Sequence, residues 1–135
     1  MDLMGIRFAS SYIDRLFTER DMAKLYHLIS LMERERVLPE EFWLFSRIQE
    51  WLGSTRSGVW QYYETLSGEN FNRMHQALLR FDLAEVAEKY AFGRNEWNGP
   101  DRAASLDKWI WQHDRQIESA AFDLILQRKA SLMSD

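Results

Sequence analysis

Histidine is the first residue type to consider for metal chemistry, and the chain has three, His27, His75 and His113. None has a glutamate or a second histidine three or four residues away, the spacing that places two ligands on one helix face. Cysteine is absent, which excludes zinc–thiolate sites, disulfides and thiol catalysis together. The sequence therefore predicts neither a bound metal nor another cofactor.

Serine, glycine and paired carboxylates are the remaining residue types that could support catalysis. The chain has no G-x-S-x-G turn to activate a serine, and its glycines are too dispersed for a phosphate-binding loop. The carboxylate pairs Glu40–Glu41 and Glu85–Glu88 could exchange protons if they were buried. Their expected positions at helix starts and on solvated helix faces explain them without catalysis. We therefore expect a protein that is not an enzyme.

Charge and hydropathy limit the classes of partner. The net charge is −4, and acidic and basic residues are interspersed. Binding to nucleic acid needs a concentration of positive charge, so we expect no direct contact with nucleic acid. The longest apolar runs fall far short of the roughly 20 residues that cross a bilayer, and no secretory signal pattern is present. These features predict a cytoplasmic protein without membrane contact.

The elements that must position any site are helical. Apolar residues recur at helical spacing, as at Leu25, Leu28, Ile29 and Met32, and no stretch alternates as a strand would. The chain is 46% apolar, and its 135 residues are enough for one hydrophobic core but too few for two separate domains of usual size. We predict an all-α fold, a compact single domain over residues 1–135 with about seven or eight helices.

Capping and helix-breaking residues set the expected boundaries of the later helices. Asp82 has the residue type of an N-cap for the sixth helix, and Gly93 would end that helix. Residues 94–104 (RNEWNGPDRAA) are rich in Asn, Gly and Pro, which predicts the main loop of the chain. Ser105 would then cap a short helix, and the last long helix would restart near Asp114.

The segment Arg56–Gly68 (RSGVWQYYETLSG) combines a glycine entry, a crowded aromatic turn and a Ser-Gly exit. Trp60, Tyr62 and Tyr63 lie closer together than an amphipathic helix requires. This crowding predicts a helix buried over most of its circumference, in which the phenol hydroxyls must find hydrogen-bond partners. The pair Ser67–Gly68 is expected to stop this helix.

The same segment resembles the signature of a bacterial family of small helical proteins related to a DNA-mimic protein. That signature is roughly Asn-Gly-Gly-Phe-x-Gln-Tyr-Phe-x-Asn-Ser-Ser-Gly, and the resemblance extends over about residues 40–130. The motif positions in this chain are Gly58, Gln61, Tyr62, Tyr63, Ser67 and Gly68. The chain departs from the pattern at Arg56 and Ser57, which replace the leading Asn-Gly, and at Thr65, which replaces the second Asn.

The resemblance implies a non-enzymatic protein that binds another protein. In the DNA-mimic case carboxylates are presented to a DNA-binding partner, whereas other helical members of such families act as immunity proteins beside toxin genes. Duplex DNA offers one charge per roughly 1.7 Å. A net charge of −4 with interspersed bases matches that spacing poorly. We therefore rank an immunity or antitoxin-type inhibitor first and a DNA mimic second, acting as a monomer or a homodimer.

Six tryptophans are more than a core of this size normally requires. Trp97, in the expected loop, would either fold back as a lid on the core or stand out as an interface anchor. Trp109 and Trp111 are about 200° apart around a helix, so one of them is expected to face away from the core. The partner-binding candidates are Glu40, Glu41, Trp60, Glu64, Glu96 and Trp97. Their structural alternatives are helix-dipole caps for Glu40 and Glu41, core support for Trp60 and Glu64, and the lid for Trp97.

Overall fold

The computed structural model describes residues 8–133. Within this range the chain forms eight α-helices, with a 3₁₀ turn at Ser54–Arg56, and no β-strand. The predicted all-α fold with seven or eight helices is therefore confirmed. The helices are α1 (Ser10–Glu19), α2 (Met22–Glu33), α3 (Glu40–Gly53), α4 (Val59–Glu64), α5 (Gly68–Arg80), α6 (Ala84–Glu96), α7 (Pro100–Leu126) and α8 (Ala130–Met133).

Contacts group the described residues into two compact units. Residues 8–46 and 120–133 form the terminal unit, and residues 47–119 form the central unit. The chain passes from one unit to the other inside α3 and again inside α7. Each unit has its own buried apolar side chains. The sequence-based division into one domain over residues 1–135 stays a prediction.

In the terminal unit, α1 and α2 are joined at Arg20, which adopts a left-handed backbone conformation with φ of 52°. Asp21 caps α2, because its carboxylate accepts a backbone N–H of the first turn at 3.1 Å. The ring of Phe17 packs on that of Phe122, with centroids 5.6 Å apart. The buried apolar side chains of this unit include Ile13, Leu16, Leu25, Leu28, Ile29, Met32, Phe42, Phe45 and Ile125.

In the central unit, large aromatic side chains form much of the core. Trp51 and Tyr90 are fully buried, and Tyr63 is 1% exposed. Trp51 meets Tyr90 edge to face, with ring centroids 5.6 Å apart. Helices α5 and α6 pack against each other, and α4 packs on α6. This arrangement places the start of α4, the end of α6 and the first turns of α7 within one unit.

Two helix starts differ from the sequence-based prediction. Ser67 and Gly68 do not stop α4, because the Ser67 hydroxyl accepts the Asn70 N–H at 3.1 Å and thereby caps α5. Asp82 does not cap α6; it has φ of 63°, and Leu83 precedes the helix without a side-chain cap. The Leu83 N–H instead bonds to the Leu78 carbonyl at 2.8 Å, a bond typical of a helix end. The polar residue at position 82 therefore belongs to the turn that ends α5.

The predicted loop at 94–104 is also wrong, because only residues 97–99 separate α6 from α7. Gly93 lies inside α6 and does not end it. Pro100 is the first residue of α7, where a missing N–H costs no intrahelical hydrogen bond. Ser105 and Asp114 both lie inside this single helix of 27 residues and start no new one.

Candidate functional site

The aromatic segment forms a hydrogen-bonded cluster with α3 and α6. The prediction that α4 is buried over most of its circumference is wrong, because half of its six residues (Trp60, Gln61 and Glu64) are exposed. The Tyr63 hydroxyl accepts a hydrogen bond from Trp51 Nε1 at 2.9 Å and donates one to the Tyr90 carbonyl at 2.8 Å. The hydroxyls of Tyr62 and Tyr90 share a bond of 2.7 Å. The expectation that these phenols need partners is therefore confirmed, and their bonds hold α4 in place.

Burial also determines the ionisation of this cluster. It raises the pKa of Tyr62 to about 12, although the hydrogen bond with Tyr90 acts in the opposite direction. Burial likewise raises the pKa of Tyr63 and of Tyr90. All three phenols are neutral at physiological pH, so we assign them a structural role.

Next to this cluster, a pocket of about 510 Å³ opens in the central unit. Its walls come from the start of α4, the turn between α6 and α7, and the first two turns of α7. The lining residues are Gly58, Trp60, Trp97, Asn98, Pro100, Ala103, Ala104 and Asp107. Trp60, Trp97 and Asp107 therefore line the same concave surface.

Gly58 allows the Trp60 indole to lie over the backbone at the entry to α4. Its φ is 101°, a conformation that other residues rarely adopt, and a Cβ there would lie 2.7 Å from Trp60 Cδ1. A side chain at position 58 would therefore both strain the backbone and displace the indole. Glycine at position 58 therefore lets the indole of Trp60 pack against the backbone, where this side chain remains 40% exposed.

Asp107 supplies the charged group of the pocket. Its Oδ1 accepts the Val59 N–H at 2.9 Å, which links α7 to the first turn of α4. Desolvation raises the pKa of the Asp107 carboxyl, partly offset by this hydrogen bond. Among the described residues, no side chain or backbone group pairs with Oδ2. One oxygen of this pocket-lining carboxylate is thus free to accept a hydrogen bond.

Two of the predicted partner-binding residues meet in this pocket, and two others flank it along the chain. Trp60 and Trp97 both line it. Trp97 is half-buried, so it is neither a fully buried lid nor a fully projecting anchor. Glu64 is exposed at the last residue of α4, and half-buried Glu96 is the last residue of α6 and not part of a loop.

The other two candidates, Glu40 and Glu41, lie in the first turn of α3 in the terminal unit. Glu41 lies 3.8 Å from the Arg128 side chain, and its own side chain is 18% exposed. Nearby in sequence, Glu33 accepts a hydrogen bond from Ser46 at 3.3 Å. Glu41 and Glu33 therefore have partners within their own unit.

Sequence reasoning missed Asp107 and Asn98, which line the pocket. In the sequence, Asp107 resembles an ordinary charged residue on a helix surface. Its role depends on a contact with Val59, which lies 48 positions away. No pattern of neighbouring residues indicates that role.

Trp109 stacks on His113 with ring centroids 4.3 Å apart, whereas Trp111 is 58% exposed. The prediction that one of these two tryptophans faces away from the core is therefore confirmed.

Two features are absent from residues 8–133. No group of three or more His, Asp or Glu side chains is arranged to hold a metal ion. None of the helices in that range is both long and apolar enough to cross a bilayer. Comparisons with protein-family models, curated proteins and solved structures gave no match.

Proposed function

We propose that this chain is a non-enzymatic, cytoplasmic protein-binding protein, and that it neutralises a bacterial partner protein in the manner of an immunity or antitoxin-type inhibitor. The observation that carries the proposal is the pairing of Trp60 and Trp97 at one open pocket. Tryptophan is among the residues most enriched at interface hot spots, because a partner that covers it removes a large apolar area from water.

The surface around the pocket has the composition of an interface and not of an ordinary solvated face. Trp111 is 58% exposed and follows Asp107 by four residues, which places it on the same side of α7. Exposed Glu64 follows Trp60 by four residues on α4. Aromatic anchors with a polar surround are the arrangement that protein interfaces use.

DNA mimicry is the second candidate from the family resemblance, and the charges support it less. A mimic must present several carboxylates free to replace phosphates. Among the carboxylates of the terminal unit, Glu41 pairs with Arg128 and Glu33 bonds to Ser46. The central pocket contributes a single carboxylate, Asp107.

The test is co-expression with the product of the neighbouring gene, scored by rescue of growth and by the dissociation constant of the purified complex. Trp60→Ala and Trp97→Ala should each weaken the complex by roughly 30-fold or more, the effect of losing a hot spot of about 2 kcal/mol. Leu79→Ala is the matched control, since Leu79 is 49% exposed on α5 and does not line the pocket.

Two outcomes would contradict the proposal. If the product of the neighbouring gene is not toxic and does not bind this protein, the proposed inhibitor function is wrong. A tight complex whose affinity is unchanged by both tryptophan substitutions would place the interface elsewhere on the chain.

A further inference from the structure

We propose that the Trp60–Trp97 pocket binds the guanidinium group of an arginine side chain presented by the partner protein. This inference rests on the proposed function, because it names the chemistry that the same surface would recognise. It follows from the combination of two indoles with one carboxylate at a single concavity.

The carboxylate sets the sign of the charge that the pocket accepts. Oδ1 of Asp107 is held by the Val59 N–H, and Oδ2 has no partner among the described residues. Desolvation of this carboxyl raises its pKa, so an opposite charge placed in the pocket would be stabilising. An anion such as phosphate would instead be repelled by the Asp107 carboxylate.

The indoles select an organic cation over a bare metal ion. A cation held over an aromatic face is attracted by the ring quadrupole, most strongly for tryptophan. Elsewhere in the central unit, Arg94 lies over the Phe71 ring at 5.6 Å and Lys89 over the Trp109 ring at 5.5 Å. No cation of the described residues lies over the ring of Trp60 or Trp97, although both residues line the pocket.

Arginine fits this environment better than lysine. A guanidinium is planar, is weakly hydrated and stacks on aromatic rings while it still donates hydrogen bonds at its edge. An ammonium keeps its hydration more strongly and offers no flat face. The pocket volume of about 510 Å³ is in the range of small-ligand sites, so it can take a guanidinium together with part of its alkyl stem.

Two basic side chains close to the site in sequence do not occupy it. Arg102 and Lys108 are exposed on α7, and neither is among the lining residues. The Arg102 stem runs beside Gly99, where a Cβ would lie 3.4 Å from Arg102 Cγ. Solvent and salt screen such exposed charges, so they reduce the attraction for a cation only partly.

The test uses the full chain alone and two amino-acid amides of the same shape. N-acetyl-arginine amide carries the guanidinium, and N-acetyl-citrulline amide replaces it with a neutral urea group. Binding is followed by NMR through the six tryptophan indole N–H signals, with those of Trp60 and Trp97 assigned from the single Trp→Phe variants. We expect the arginine probe to shift these two signals and to bind at least about 10-fold more tightly than the citrulline probe.

Two variants separate charge from shape. Asp107→Asn keeps an oxygen that can accept the Val59 N–H, so the thermal unfolding midpoint should change little while arginine binding falls by about 10-fold. Trp97→Leu keeps an apolar side chain but removes the aromatic face, and it should weaken the arginine probe more than the citrulline probe. Leu79→Ala, which changes an exposed side chain on α5 outside the pocket lining, is the control for both.

Equal binding of the two probes, shifts confined to other tryptophans, or tighter binding of N-acetyl-lysine amide would each overturn the inference. The result is distinguishable from a failure of the proposed function. If the probes behave as expected but the neighbouring protein is not neutralised, only the inhibitor function fails. If the tryptophan variants abolish the complex but the arginine probe does not bind, only the guanidinium assignment fails.

Discussion

At Gly93, the interior of α6 lacks a side chain because the ring of Tyr63 occupies that space. A Cβ on Gly93 would overlap the Cε2, Cζ and hydroxyl oxygen atoms of Tyr63. Tyr63 in turn is fixed by its bonds to Trp51 and Tyr90. The ring cannot move aside without breaking those bonds, so the identity of residue 93 is determined by a contact 30 positions away in sequence.

Gly93→Ala should destabilise the protein even though alanine is the better helix former. Helix propensity favours the change by about 1 kcal/mol, whereas overpacking a core typically costs 1–3 kcal/mol and occasionally more. Because a Cβ would overlap three atoms of Tyr63, we expect the upper end of that cost, and so a net loss of about 2 kcal/mol in the free energy of unfolding, measured by urea denaturation. Gly53→Ala is the control, since nothing lies within 4 Å of a Cβ at that position. A Gly93→Ala variant as stable as the control would contradict the tight contact with Tyr63.

Tyr62→Phe should make stability less sensitive to alkaline pH. The pKa of Tyr62 is about 12 in the folded protein, against about 10 in an unfolded chain. Between these values the unfolded chain loses the phenolic proton and the folded chain retains it, so the free energy of unfolding falls as pH rises. Two pKa units correspond to a loss on the order of 2–3 kcal/mol by pH 12, which is absent below pH 10.

The measurement is urea denaturation of both proteins at pH 8, 10 and 11. The variant should be less stable by about 1 kcal/mol at pH 8, since the Tyr90 hydroxyl loses its partner. That difference should shrink as pH rises toward 11. A difference that stays constant across this range would show that Tyr62 does not resist ionisation.

At the scale of elements, helix existence could be predicted from sequence, whereas several helix ends could not. Apolar spacing alone located most of the helices, because residues three and four apart share a helix face. The ends at Asp82, Gly93 and Ser105 were assigned from residue type, and each was wrong. Residue type states which caps are possible, and packing decides which of them is used.

Ser67 and Ser105 provide a direct comparison at this scale. Ser67→Ala should lower the free energy of unfolding by about 1 kcal/mol, because its hydroxyl caps the Asn70 N–H at the start of α5. Ser105→Ala should change it by no more than a few tenths of a kcal/mol, because Ser105 is an exposed residue inside α7. Thermal or urea unfolding of the two variants gives the comparison. A larger loss of stability for Ser105→Ala than for Ser67→Ala would favour the sequence-based prediction, in which Ser105 caps a helix and Ser67 does not.

At the scale of the whole molecule, charge distinguishes the two proposed binding modes. The net charge of −4 arises from 21 acidic and 17 basic residues, so most charge is locally compensated. An interface anchored by tryptophan draws chiefly on apolar burial, which salt does not screen. An array that replaces DNA phosphates depends on electrostatic contacts, which salt weakens steeply.

The complex with the partner protein should therefore weaken by less than about 10-fold between 50 and 200 mM salt. Isothermal titration calorimetry at several salt concentrations gives the dissociation constants, and duplex DNA added as a competitor should not displace the chain. A loss of 10³-fold or more over this range, together with displacement by DNA, would favour the mimic instead.

The helical class, the lack of cysteine chemistry and the crowded aromatic turn around Tyr63 all follow from the amino-acid sequence alone. These properties depend on composition and on spacings of a few residues, which are visible along the chain. The need of the buried phenols for partners followed from the same local pattern.

The positions of those partners and of the pocket depend instead on contacts between helices that are distant along the chain. The pocket joins residues near 58–60 to residues 97–107, and the key bond from Val59 to Asp107 spans 48 positions. Such contacts depend on how helices pack, and no local spacing specifies that packing. For the same reason Gly93 and Asp107 gained their roles only once α4, α6 and α7 were placed together.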